Sequence, residues 1–335
     1  MLEEIHRAKK VIVPIHVFGL TGYEDLLHRH AAEFRNRAWV MAWYRSDSDE
    51  WARQLTNLIV HIADSKSQRG AGYQCDVGII TALERVEAES VLKLEAGWKE
   101  VRVNDDDAIY YSGRFVRGEK SISAVLCACT EIGMPYAACQ SMKLIENFRP
   151  RYLGMCGIAA GAVGVPGDIL IAERAWDYGS GKIRQGSGGE QEFLPAPRQI
   201  ALEPSLRARL GRFAMRDDVR YSIRKLWAGG NESGPPAVHI GSFASGAAVL
   251  EDSGLVGRIK AQDRKVIAIE MEAYSLFLAS VVAKAPKPGA FCIKAVSDHG
   301  NSDKSDSYQA YAAFTSSRYL YEFCLDQLTE STLTT

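Results

Sequence analysis

The chain has 335 residues, a length that suggests about two domains. Hydrophobic residues make up 47%, which suits a packed core and excludes large-scale disorder. The formal net charge of −1 gives no support to bulk electrostatic binding of nucleic acid or of a membrane, and no apolar run approaches the ~20 residues that span a bilayer.

The N-terminal stretch "MLEEIHRAKK" is charged and shows no cleavable signal. "VIVPIHVFGLTGY" then reads as a strand, "EDLLHRHAAEFRNR" as a helix, "AWVMAWY" as a strand and "SDEWARQLTNLIVHIADS" as a helix. That order predicts a parallel sheet with crossovers, though two strands make only half of such a domain. Residues 63–74, "ADSKSQRGAGYQ", are polar, contain two glycines and read as a linker. Beyond it, "CDVGIITAL" is a strand entering a helix, "ISAVLCACTEIG" a strand and "PYAACQSMKLIENF" a helix. "RYLGMCGIAAGAVGVPGDILIAERAW" reads as strand, glycine-rich turn, strand, and "GSGKIRQGSGGEQEFLP" as a mobile loop. "SLRARLGRFAMRDDVRYSIRKLWA" reads as helical, and "AVHIGSFASG", "KVIAIEMEA" and "GAFCIKAVSDHG" each begin as a strand. This alternation predicts one α/β domain with a central sheet over residues 73–330.

Seven cysteines are present, without a CxxC pair or a zinc-type spacing. They read as buried free thiols of a reducing cytoplasm, so the expected location is cytoplasmic and no metal is expected. The stretch "VIAIEMEAYSLF" puts Glu270 and Glu272 where a buried strand turns into a buried helix. Ionised carboxylates are costly there unless a helix start or a ligand compensates them.

"CDVGIITALE", "MCGIAAGAVGVPGDILIA", "FASGAAVLED", "AIEMEA" and "CIKAVSDHG" follow one another in an order that resembles the nucleoside phosphorylase / nucleosidase superfamily. The pattern is nearest to its methylthioadenosine/S-adenosylhomocysteine nucleosidase branch. The resemblance implies a three-layer α/β sandwich around a mixed, partly barrel-like sheet, no organic cofactor, and a homo-oligomer. Residues 1–68 resemble the second half of a response-regulator receiver domain, with Thr21 matching its hydroxyl residue. The strand for a phosphoacceptor Asp would precede Met1, and "AWYRSDSD" stands where a lysine is expected. Either the start is misassigned, or the half domain serves as a docking or dimerisation surface for a regulatory partner. Such a fusion resembles bacterial antiphage effectors that destroy adenine nucleotides.

Cleaving a purine N-glycosidic bond requires a proton for the leaving base and stabilisation of an oxocarbenium-like sugar. The resemblance makes Asp298 the general acid, oriented by Ser297. It makes Glu272 the ligand of the ribose hydroxyls, with Met271 packed on the ribose. Glu270 contacts the sugar or fills the first helical turn. Glu87 would activate water, although counting from "TAL" places Val86 at the matching point. Glu84 is the alternative, unless Thr81 and Glu84 form a capping box. Arg85 is a candidate anion contact for a phosphorylase. Gly157 and Gly161 mark a turn where backbone nears the ligand, with Ile158 where the nucleosidases carry Ser. Ser245 and Gly246 match the base-recognition loop. Val249 stands where an aromatic is frequent, leaving Phe243, Trp176 and Tyr178 as options. Lys294, Lys182, Arg184 and Lys304 either gather around substrate phosphates or are solvated surface charges.

The expected function is therefore an N-glycosidase acting on an adenine nucleoside or nucleotide, with ATP or a related nucleotide favoured. A methylthioadenosine/S-adenosylhomocysteine nucleosidase, a purine nucleoside phosphorylase and a non-catalytic nucleotide-sensing module are the alternatives. Neither nucleic acid nor membrane is an expected partner.

Overall fold

The computed structural model describes residues 17–36, 39–70, 72–186, 189–229, 234–248, 253–300 and 308–329. The chain divides into two compact units, Met1–Gly72 and Tyr73–Thr335.

In the first unit, β1 (Phe18–Thr21) and β2 (Val40–Trp43) pair in parallel, from Phe18 opposite Val40 to Thr21 opposite Trp43. The crossover is α1 (Glu24–Asn36), and α2 (Glu50–Gly70) follows β2. Gly19 is required by packing, because a Cβ there would lie 2.8 Å from the Phe34 ring. The polar stretch expected to be a linker from residue 63 is helical as far as Gly70. It contains no proline, so nothing in the backbone stops an established helix from propagating.

The second unit is built on a ten-stranded sheet. β3 (Cys75–Thr81), β4 (Lys99–Val103), β5 (Asp106–Arg117) and β6 (Lys120–Ala128) form one wing, in which β3 and β6 run parallel. β7 (Pro150–Gly161) lies beside β3 and continues the sheet. β8 (Ile169–Asp177) leads to a hairpin of β9 (Gly181–Gln185) and β10 (Gln191–Pro195), then to β11 (Ile200–Ala201). β12 (Val238–Ser245), β13 (Val266–Glu270) and β14 (Gly289–Asp298) complete it.

The sheet closes on itself. β8 pairs with β12, β12 with β13, β13 with β7, β7 with β14, and β14 returns to β8. This ring gives the mixed, barrel-like centre. Strands covered on both faces carry continuous apolar runs rather than alternation, as "VGII" in β3 and "FCIKAV" in β14 show. Helices α4 (Met134–Phe148) and α8 (Ala273–Val282) pack together against the sheet, and α9 (Gln309–Phe323) covers β14 and β7. The main core lies between these layers.

The segment read as helical holds two helices, α5 (Pro204–Phe213) and α6 (Asp217–Leu226), interrupted where Arg216 Nη2 donates to Asp218 Oδ2 at 2.7 Å. Two local expectations are corrected. The glycine-rich segment predicted to be a mobile loop forms the β9–β10 hairpin, in which Arg184 opposes Glu192. The glycine-rich turn begins later than expected. Gly157 and Gly161 belong to β7, and the turn proper uses Gly164 and Gly167, whose φ values of 82° and 92° suit glycine.

Candidate active site

The ends of β3, β13 and β14 and the last part of β7 enclose an open cleft with a cavity volume of about 210 Å³. Glu87, Met271, Glu272, Lys294, Ser297 and Asp298 are on its wall, with Glu270 beside them. Glu272 and Asp298 thus border one hollow.

Glu87 arrives through an unusual turn. Residues Glu84–Ala88 form a π-helical turn, closed by the Ala88 amide donating to Leu83 O at 3.0 Å. Such a turn holds one more residue than an α-turn, so a count from "TAL" that assumes regular geometry lands on Val86 while Glu87 is the residue turned inward. Its side chain is 2% exposed. Oε2 accepts from the amides of Ala82 at 2.7 Å and Leu83 at 2.9 Å, and Oε1 accepts from the Ile158 amide at 2.8 Å. Gly157 makes room for it, since a Cβ there would stand 2.1 Å from Oε1. Burial pushes the Glu87 carboxyl above its ordinary range, against the opposing pull of Lys294 and the amides. The expected capping box is absent. The Thr81 hydroxyl has no partner and Glu84 is exposed, so Glu87 itself serves the amides at this turn. Arg85 is also exposed and is not on the cleft wall.

Glu270 and Glu272 divide the labour at the next strand end. Glu270 Oε2 accepts from the amides of Glu272 and Ala273, each at 2.9 Å, and from Lys294 Nζ at 2.8 Å. Its Oε1 accepts from the Ser245 hydroxyl, which in turn receives the Tyr274 amide at 3.0 Å. Glu270 therefore caps the start of α8, with Ser245 as its support. Burial alone would raise its carboxyl, but Lys294 and the hydrogen bonds outweigh it and hold it below the ordinary range. Glu272 is the N-cap residue of α8 but does not cap it. Its Oε1 accepts from the Gly133 amide at 2.9 Å and its Oε2 from Lys294 Nζ at 2.9 Å. Each oxygen keeps a second lone pair for a hydroxyl donor.

Lys294 was expected to be either a phosphate contact or a surface charge, and it is neither. It is 1% exposed and bridges two carboxylates inside the protein. Burial disfavours its ammonium, yet Glu270, Glu272 and Glu87 more than offset that and keep it well above its usual range. Asp298 follows a register shift in β14 against β7. Ser297 Oγ donates to its Oδ2 at 2.8 Å and the Gly300 amide to its Oδ1 at 2.8 Å, so the carboxyl is clamped in orientation.

Other sequence candidates lie apart from the cleft. Trp176 is buried and its Nε1 donates to Ser242 Oγ at 3.0 Å, while Phe243 is in the core. Tyr178 packs its ring against Gly246, where no Cβ would fit. Lys182 and Arg184 are exposed on the hairpin, Arg184 paired with Glu192. Val249 and Lys304 lie outside the described residues. The sequence reading missed Ile132, Ala248 and Gln309 on the wall, and the Gly133 amide. Gly133 just before Met134 and Pro135 is a helix-start signal that could have pointed to that amide. Among the described residues no cluster of His, Cys, Asp or Glu is placed to hold a metal, and no helix is long and apolar enough to cross a membrane.

Residues 76–320 match the family model of the Phosphorylase superfamily. The chain belongs to that superfamily. Its first unit lies outside the match, but an uncharacterized protein, y4jS of Sinorhizobium fredii, is 27% identical over 340 residues, covering 98% of this chain and 82% of that protein. The ATP nucleosidase Cap17 of Escherichia coli is 26% identical over 252 residues, 70% of this chain but only 48% of that protein, so the match spans about half of its length. Among solved structures, a 5′-methylthioadenosine/S-adenosylhomocysteine nucleosidase from Neisseria meningitidis superposes with a TM-score of 0.56 at 23% identity, covering 74% of this chain and 97% of that one. Futalosine hydrolase of Helicobacter pylori gives 0.56 at 18% identity, covering 75% and 97%. At these identities the likeness shows the fold of this superfamily member.

Proposed function

We propose that the chain is an N-glycosidase that hydrolyses the bond between a purine and its ribose. The observation that carries this reading is the meeting of three carboxyl groups in different settings on one cleft: Asp298 partly open, Glu272 fixed by an amide and an ammonium, and Glu87 buried. Asp298 donates a proton to the departing base. Glu272 accepts the ribose hydroxyls and stabilises the positive charge that develops on the sugar. Water attacks the anomeric carbon and gives its proton to Glu87, so that free base and free sugar leave and the two carboxyls exchange one proton per turnover. Among the described residues the cleft wall holds no arginine, and the lysine there is committed to two glutamates, which favours water over phosphate as nucleophile.

The same wall speaks to the 5′ substituent. Leu83, Ile132, Ile158 and Ala248 are apolar, and a triphosphate would call for several cationic donors. This favours a nucleoside with a 5′ thioether in place of phosphate, as in methylthioadenosine or S-adenosylhomocysteine, over the ATP favoured from sequence. ATP is the second reading, supported by the relation to the Escherichia coli ATP nucleosidase. A receiver-like first unit that docks a regulatory partner, with an antiphage role, rests on the parallel β1–α1–β2 order and on the sequence resemblance. A homo-oligomer rests on the resemblance alone.

The test is release of free adenine from methylthioadenosine, S-adenosylhomocysteine, adenosine, AMP and ATP, with and without phosphate. Release should need no phosphate and be fastest for substrates that carry no 5′ phosphate. Asp298→Asn should slow it ~100-fold or more, the scale of positioned acid catalysis. Silence across the panel, or a near-normal rate in that variant, would overturn the reading.

A further inference from the structure

Lys294 has no role in the proton transfers just described, yet it is a charged side chain at the centre of the fold. Its ammonium reaches Glu270 Oε2 at 2.8 Å and Glu272 Oε2 at 2.9 Å, and it also acts on Glu87 through space. It lies on the cleft wall from mid-strand in β14, four residues before Asp298. Among the described residues, the other ionisable groups around this centre are Asp298 on the same cleft wall and the thiols of Cys129, Cys156 and Cys292, the thiols being pushed up and kept neutral by burial. Three buried carboxyl groups thus share one positive charge.

Resting on the hydrolase reading, we propose that Lys294 is the positioning residue of the site: it pins Glu272 for the sugar and supplies the positive charge that lets the buried Glu87 carry its negative charge during turnover. Two observations on the geometry support this. Glu270 is already saturated by the α8 amides and Ser245, so a lysine serving only the fold would not need to reach Glu272 as well. Among the described residues Glu272 has one other protein donor, the Gly133 amide, and without Lys294 none of them would hold its Oε2. A buried carboxylate that loses its cation takes up a proton instead, because the uncompensated charge is the costlier state.

The experiment compares the wild type, Lys294→Met and Lys294→Arg. In Lys294→Met the acid limb of the kcat/KM profile should move up by about 1–3 pH units, the shift an adjacent opposite charge produces, and KM should rise as Glu272 loses its anchor. Lys294→Arg should return the limb towards the wild type. Infrared spectra at neutral pH should show a stronger protonated-carboxyl band in Lys294→Met than in the wild type, and this readout needs no turnover. Should Lys294→Met fail to fold, the double variant Glu270→Gln, Lys294→Met removes one buried charge of each sign and should show the same displaced limb and band. A folded variant with an unmoved limb and an unchanged carboxyl band would overturn the proposal, since a merely structural lysine would lower stability and leave both alone. If the wild type releases no base from any nucleoside, the hydrolase reading falls, and the infrared comparison alone decides whether Lys294 holds the carboxylates ionised.

Discussion

Gly157 decides where Glu87 can stand. Its missing side chain leaves the space that the carboxylate fills, and three backbone amides depend on that carboxylate for their hydrogen bonds. Gly157→Ala should therefore displace Glu87 and lower kcat by ~100-fold, the cost of misplacing a reacting group by about an ångström. It should also lower stability by about 1–3 kcal/mol, because buried amides would lose their acceptor. Steady-state kinetics and denaturant unfolding read the two effects separately, and normal values in both would show that Glu87 is dispensable. At this scale the sequence was informative about position where position follows from adjacent residues: Asp298 beside Ser297 and Glu272 at a strand-to-helix junction were legible in that way. Lys294 was not, since a cation's partner is set by strand pairing rather than by adjacent residues, and a lysine facing two distant glutamates looks the same in sequence as one facing water.

At the scale of elements, Asp106 ties β5 to α4. Its carboxylate accepts from the Ala108 amide at 3.0 Å, Tyr110 Oη at 2.7 Å, Lys143 Nζ at 2.8 Å and Asn147 Nδ2 at 3.0 Å. Burial would raise this carboxyl, but Lys143, Tyr110 and the amide outweigh it and hold it at about 2. A group depressed in the folded state stabilises it above the unfolded value near ~4 and loses that contribution as pH falls towards 2. Asp106→Asn should melt at a lower temperature at neutral pH, and the gap from the wild type should narrow between about pH 4 and pH 2. An equal gap across that range would mean that the carboxylate's charge is not what stabilises the junction. Most strands and helices here were legible from apolar periodicity. The π-turn, the break between α5 and α6, and the β9–β10 hairpin were not. Each is decided by a contact from outside its own stretch or by paired backbones, and glycine-rich composition alone cannot separate a hairpin from a loop.

For the molecule as a whole, every candidate catalytic group comes from the second unit, between Glu87 and Asp298. A protein consisting of residues 73–335 should therefore release base with a kcat within about threefold of the full chain, well under the tenfold that 1.4 kcal/mol of barrier represents. A much larger loss would assign the first unit a part in catalysis. The fold class was readable from alternating strands and helices and from the order of the motifs. The barrel-like centre was expected only through the resemblance, because the pairing that closes it, β14 with β7 on one side and β8 on the other, is long-range and leaves no local trace.

That double pairing has a consequence for how the protein is made. β14, a late strand in the chain, supplies Asp298 and Lys294 together and also seals the barrel. A polypeptide emerging from the ribosome without it has neither Asp298 nor the internal cation, nor a finished wall around the cleft. On the proposed hydrolase reading, immature chains are inert towards nucleosides, and competence appears only when the last staves are in place.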